Sequence, residues 1–326
     1  MKLSRCIDIG FSIFFVSGLG KHVRQWFIVT VGMITASANA VEVRFEPVAE
    51  GVYAFIGELG QRTTSNEGLN ANIGLVVTPV GAILIDSGAT YSGARQIQEA
   101  VRRVTSQPVR WVINTGGQDH RWLGNGYFLA QGAEIIAHKK AEADMRSRSG
   151  DQLEGLRTAL GPLANDTVPT FAGRWITQSD ERLEIGGVVL EFKHRGGAHT
   201  PGDILVWLPQ QRIVFTGDVV YVDRLLGVLP FSQTKPWLAT FAEIERLAPV
   251  RIVPGHGHVT DLATAQTDTR DYLMALRNHM KTAVDDGIDP SAAVRTFDAK
   301  PFMRLLNASD LMPGNASRTY LELERE

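Results

Sequence analysis

Four separated stretches of this chain hold side chains able to ligate a metal ion or move a proton. Asn114-Thr115-Gly116-Gly117-Gln118-Asp119-His120-Arg121 follows the β-branched run Val109 to Ile113, and Gly197-Ala198-His199-Thr200-Pro201-Gly202-Asp203 precedes Ile204 to Leu208. Thr216-Gly217-Asp218 follows Arg212 to Val214, and Pro254-Gly255-His256-Gly257-His258 follows Val250 to Val253. Each puts an imidazole or a carboxylate in a glycine-bearing turn beside a β-type run, and these are the nitrogen and oxygen donors that divalent metals take. The carboxyl end of a buried strand is where α/β proteins gather their chemistry.

The elements that must position these turns follow from hydrophobic period and turn residues. Val43 to Phe45, Val52 to Ile56, Asn72 to Val77 and Ala82 to Asp86 read as strands, with Thr78-Pro79-Val80-Gly81 a hairpin connection. Ile97, Ala100, Val101 and Val104 recur at helical spacing within Ser92 to Val104, and Asp86 is a candidate cap for that helix. Leu123 to Gln131 reads as a short helix, Ala133 to Ala137 as a strand, and Lys139 to Leu160 as an exposed helix. Trp175 to Thr177, Leu183 to Ile185 and Val188 to His194 are strands that open the second half of the fold. Pro236 to Leu247 and Ala263 to Asp286 are helical in pattern, and two shorter helical runs follow in Asp289 to Glu326. His138 and His194 are read as structural.

Taken as an ordered set, Asn-Thr loop, Gly-His-Thr-x-Gly-Asp, Thr-Gly-Asp and Pro-Gly-His-Gly, these motifs resemble the metallo-β-lactamase superfamily from about Val43 to about Asp261. The resemblance implies a four-layer αββα sandwich of two mixed β-sheets flanked by helices. It also implies hydrolysis, with a metal-activated water attacking a carbonyl or ester of a β-lactam, thioester or similar small molecule. The Asp86-Ser87-Gly88 turn resembles the family's Asp-Ser/Thr-Gly turn, whose aspartate orients the metal loop from behind the ligands.

One loop departs from the family. Its pattern His-x-His-x-Asp-His aligns without a gap on Gly116, Gly117, Gln118, Asp119, His120 and Arg121, so both early histidines are missing. The alternative register keeps Asp119-His120 as the Asp-His pair. Carried over residue by residue, the resemblance leaves the first metal position only His199, with Gln118 a weak oxygen donor, and gives the second His120, His256 and the bridging Asp218. Zinc is the expected cofactor, one ion rather than two, with iron or manganese as alternatives. Asp119 is the expected proton acceptor and His258 the reserve ligand. The competing expectation is a non-catalytic ligand- or partner-binding protein on the same fold, because glycine and glutamine cannot replace imidazoles.

Flanking segments add detail. Gly60 to Ala71, with Arg62 and Asn66, is a candidate lid. In Val219 to Leu229, Tyr221 and Arg224 are expected to brace the loop, with contact to an anionic substrate group as the alternative.

The chain has 326 residues, 44% of them hydrophobic and 21% charged, with a formal charge of −2 and no basic stripe, so no nucleic-acid partner is expected. Residues 1–40 read as a signal peptide: Lys21 to Gln25 is basic, Trp26 to Ile34 apolar, and Ala36-Ser37-Ala38-Asn39-Ala40 a cleavage site. Residues 41–326 then form one domain of this fold with a helical C-terminal extension, periplasmic or secreted, without stable membrane insertion. The single cysteine, Cys6, leaves with the leader, which excludes a thiol nucleophile, a disulfide and a cysteine ligand. Oligomeric state is not indicated.

Overall fold

The computed structural model describes residues 42–326; the expected leader and Cys6 lie outside them. One sheet runs in chain order through β1 (Glu46–Ala49), β2 (Val52–Phe55), β3 (Ile73–Thr78), β4 (Gly81–Ile85), β5 (Val109–Ile113), β6 (Glu134–His138) and β7 (Arg174–Ile176). β1 to β4 pair antiparallel, and β4 to β7 pair parallel. The second sheet is built from β8 (Asp180–Ile185), β9 (Val188–Lys193), β10 (Leu205–Leu208), β11 (Ile213–Phe215) and β12 (Arg251–Val253), in the spatial order β12-β11-β10-β9-β8. Only β11 and β12 are parallel.

Strand alternation assigns the layers. On β4, Ile83 and Ile85 point between the sheets toward Phe192 and Phe215 of β9 and β11, while Ala82 and Leu84 point outward. Outward residues of this sheet meet Ile97 and Val101 of α1 (Tyr91–Val104) and Met145 and Leu156 of α4 (Lys139–Leu160). Val214 and Ile252 face the other way, onto Trp237 and Phe241 of α5 (Thr234–Leu247), Tyr272 and Leu276 of α7 (Asp271–Asp285) and Tyr320 of α9 (Ala308–Leu323). Two mixed sheets with helices on both outer faces give the αββα sandwich. No helix among the described residues is long and apolar enough to cross a membrane.

Three expectations are corrected. Val43 to Phe45 is not a strand: Val43 and Phe45 are buried by irregular chain, and pairing starts at Glu46, where the Gly51 turn brings β1 onto β2. The second sheet begins at β8, because Arg174 to Ile176 pairs parallel with β6 and completes the first sheet. The cap of α1 is Thr90, whose hydroxyl accepts from Gly93 N at 2.9 Å, leaving Asp86 free for another task.

Candidate metal centre

The loop ends after β4, β5, β11 and β12 converge at one edge of the sandwich. Asp86 Oδ1 accepts from Thr115 N at 2.7 Å, which ties the turn after β4 to the loop after β5. Gly217 has φ of +49°, and a Cβ there would overlap the Thr115 hydroxyl, so only glycine lets the turn after β11 approach this loop. Asp218 is the next residue.

His120, on the short helix α2 (Asp119–Trp122), has Nε2 3.0 Å from Asp218 Oδ2; His256, after β12, has Nε2 3.3 Å from Asp218 Oδ1. One ligand atom from each of the three lies within 4.8 Å of the others, and all three residues are buried. His256 Nδ1 is 2.8 Å from the Asn70 carbonyl, which can only accept, so Nδ1 carries the ring proton. A neutral His256 therefore aims the Nε2 lone pair at a carboxylate oxygen. Burial holds the His256 pKa well below the usual histidine range, against the pull of Asp218, so an imidazolium does not resolve the conflict. A cation shared between the two atoms would. The donor set, two imidazoles and a carboxylate, fits zinc, and anchoring of the far ring nitrogen by a carbonyl is the usual companion of a histidine ligand.

Arg121 is the support of this cluster. Fully buried, it donates to Asp218 Oδ1 at 2.6 Å, Asp86 Oδ2 at 3.0 Å, and the carbonyls of Asn72 at 3.1 Å and Gly255 at 3.0 Å. Burial alone would raise the Asp218 pKa, but Arg121 and His120 outweigh it and hold the carboxyl well below its usual range. His120 and Arg121 thus both meet Asp218. Asp119 turns the other way, pairs with Arg62 of the candidate lid, and lies 3.3 Å from His120 Nδ1. Burial pushes the Asp119 carboxyl up, yet Arg62 and His120 bring it down overall. The chain just after the lid is stitched to the His256 turn, since the Asn72 amide donates to the carbonyls of Pro254 at 2.8 Å and Gly257 at 2.7 Å.

The other half of the loop is packed rather than open. A Cβ on Gly116 would overlap Asp203 Oδ1, and one on Gly117 would lie 2.5 Å from Asp144 Oδ2. Gly117 O accepts from Arg148 Nη2 at 3.1 Å, Gln152 Nε2 at 2.9 Å and Trp122 Nε1 at 3.2 Å, and Arg148 Nη1 lies 3.3 Å from Gln118 Oε1. Arg148 itself is held by Asp144 and stacks over Phe231 at 3.8 Å. Asp203, bonded to the Thr200 amide and hydroxyl, is pushed up to about 8 by burial.

His199 stays outside the three-residue group. Its Nδ1 is 2.9 Å from the Gly227 carbonyl, its ring leans on Trp237 and Tyr221, and burial lowers its pKa to about 4. His258 is exposed and pairs with Asp223 at 2.6 Å, so it does not join the cluster. His138 and His194 stack on each other at 4.0 Å, away from it. A cavity of about 570 Å³ between residues 229–236 and the C-terminal helix is walled by Phe231 but not by His120, Asp218 or His256. Sequence reasoning missed three arginines. Arg121 appeared only as a lost ligand, Arg62 as a lid residue, and Arg148 lay on a helix taken as exposed.

Comparison with known proteins follows this geometry. The family model of the metallo-β-lactamase superfamily matches residues 66–256, from the candidate lid to His256. A linear primary-alkylsulfatase of Pseudomonas sp. (strain ATCC 19151) is 20% identical over 265 residues, covering 70% of this chain and 50% of the relative. This chain therefore spans about half the length of that protein. A type 2 metallo-β-lactamase of Elizabethkingia meningoseptica is 21% identical over 81% of this chain and 99% of its own length. Among solved structures, an inverting sec-alkylsulfatase from Pseudomonas sp. superposes with a TM-score of 0.68 at 16% identity, covering 85% of this chain and 50% of that one.

Proposed function

Because this chain belongs to the metallo-β-lactamase superfamily, we propose that it is a hydrolase working with one divalent cation, zinc by donor type, held by His120, Asp218 and His256. The observation that carries this reading is the neutral His256 Nε2 facing the Asp218 carboxylate at 3.3 Å, an arrangement a bound cation relieves. When bound, such an ion supplies Lewis acidity and makes water a competent nucleophile near neutral pH.

The side chains divide the remaining work. Arg121, itself held by Asp86, keeps Asp218 ionised and aimed. The Asn70 carbonyl fixes the tautomer of His256. Asp119 orients His120, and its pairing with Arg62 makes it a weak proton acceptor. His199, neutral at pH 7 with Nδ1 committed to Gly227, presents Nε2 as a hydrogen-bond acceptor. Substrates would be small molecules with a carbonyl or ester-type bond; the relatives named as an alkylsulfatase, a β-lactamase and an acyl-coenzyme A thioesterase set the range. The leader pattern in residues 21–40 supports export to the periplasm, which N-terminal sequencing of the fractionated protein checks: Val41 is the expected first residue.

The packed Gly116 to Gln118 segment favours a second reading, a ligand-binding protein without catalysis. The two separate in one assay of zinc-loaded protein against an alkyl sulfate, a thioester and a β-lactam. Turnover of any of these, abolished by His256→Ala, supports the hydrolase. Full zinc occupancy with no turnover of all three supports the binder.

A further inference from the structure

Resting on that single-cation reading, we propose that Thr269, in the helical segment that follows the second sheet, is a positioning residue for His256, acting through Tyr221.

The turn that carries His256 is held on three sides. Nδ1 of the imidazole donates to Asn70 O at 2.8 Å, and the Asn72 amide bonds the carbonyls of Pro254 and Gly257. The third side is the loop after β11. There Gly255 N donates to Val220 O at 2.9 Å, Val222 N donates to His256 O at 3.0 Å, and the Tyr221 ring stacks on the imidazole with centroids 4.9 Å apart at 19°. A single bond at Nδ1 leaves the ring free to pivot about that bond, and a flat neighbour against its face removes the freedom. Where Tyr221 lies therefore decides where Nε2 points.

Tyr221 is itself placed from outside both sheets. It is buried, and its backbone N–H and carbonyl meet one side chain: Thr269 Oγ1 accepts from Tyr221 N at 3.0 Å and donates to Tyr221 O at 2.6 Å. A hydroxyl has one proton to give and lone pairs to receive, so this group answers both. Nothing else among the described residues bonds them. Thr269 is fully buried and lies in a π-helical turn, Gln266–Arg270, between the short helix Leu262–Ala265 and α7. Such turns are rare and recur at functional sites. This one brings two neighbouring side chains onto a single loop, since Asp268 Oδ2 accepts from Asp223 N at 3.0 Å while its Oδ1 pairs with Arg304.

A second buried clamp supplies the contrast. Asn315 of α9 accepts from Val228 N at 2.7 Å and donates to Leu226 O at 2.8 Å. It grips the far end of the same loop, where Gly227 anchors His199 and none of the three ligands. The two clamps share burial and chemistry and differ in what lies at the end of the path.

The test is zinc affinity, measured by competition with a chelator, and the visible spectrum of the cobalt(II)-loaded protein, for the whole chain and its variants. Thr269→Val keeps the side-chain shape and removes the hydroxyl; affinity should fall about 10–100-fold, the effect of losing an outer contact, and the cobalt bands should shift. Thr269→Ser should restore both. Asn315→Ala should lower stability to denaturant while leaving affinity and spectrum as in wild type. Tyr221→Leu, which takes away the stacked ring and leaves the clamp, should also weaken zinc binding and carries the test if the valine variant does not fold. Wild-type affinity in Thr269→Val, or an equal loss in Asn315→Ala, overturns the proposal, and a wild type that takes up no zinc overturns it together with the metal reading. Turnover measured on the same zinc-loaded samples keeps the two readings apart. The expected variant pattern without turnover leaves the positioning role and removes the hydrolase, and turnover with zinc binding indifferent to Thr269 does the reverse.

Discussion

Two neighbouring parts of one loop, His120-Arg121 and Gly116 to Gln118, have opposite character. Around His120, Asp218 and His256, polar atoms converge, the His256 Nε2 lone pair faces a carboxylate oxygen, and the structure holds them there with a buried arginine. Around Gly116 to Gln118, polar groups are answered from within the protein: Gly117 O takes three donors, Gly117 N donates to Thr200, and Asp203 is closed onto Thr200. The first half is arranged for a guest and the second is already full. The positions where the family resemblance puts two histidines are therefore packed, not open: a Cβ at Gly116 or Gly117 would meet Asp203 or Asp144.

The strongest way to break this contrast is at its support. Arg121→Leu leaves Asp86 and Asp218 buried and uncompensated, so the free energy of unfolding by denaturant should fall by about 3–5 kcal/mol. A fall below about 1 kcal/mol contradicts the role given to Arg121.

The packed half makes a different prediction. Gly116→His with Gln118→His restores the family's residue types, but the new Cβ at 116 meets Asp203. The double variant should gain no second zinc equivalent and lose about 1–3 kcal/mol, as overpacked sites do. Two tightly bound ions would show that the space had survived.

A pH test sharpens the same point. The folded-state pKa of Asp203 is raised to about 8 from 3.8, so between those values the folded protein holds a proton the unfolded chain has released. That contribution is fully present below pH 3.8 and lost as pH rises toward 8. Asp203→Asn mimics the protonated form, so a plot of stability against pH should fall less steeply from pH 5 to 8 than wild type. Parallel curves would place the proton elsewhere.

The smallest effect belongs to the lid. Arg62 has a quarter of its side chain exposed, and Arg62→Met should cost under about 1 kcal/mol while raising amide exchange across residues 60–69. Unchanged exchange means that Asp119 does not hold the lid.

Much of this was legible in the sequence for identifiable reasons. The apolar run Ala82 to Ile85 marked β4 as a buried strand, and glycine turns at strand ends located Asp218 and His256. The arginines were not legible, because a cationic side chain on a helix such as α4 reads as solvated until a carbonyl such as Gly117 O is seen to lie under it. Nor does residue type reveal that Gly116 is filled from Asp203, a contact across the two halves of the sandwich. The cap of α1 went to Thr90 rather than Asp86 for a related reason, since Asp86 is claimed by Arg121 and Thr115.

The central claim is a single-cation centre on three residues, and zinc stoichiometry by equilibrium dialysis tests it most directly. The account predicts about one equivalent for wild type and for His199→Ala, with affinity lowered beyond the roughly 10–100-fold of an outer contact in His120→Ala and His256→Ala. A wild-type protein that takes up none, or one whose zinc is indifferent to His120 and His256, contradicts it.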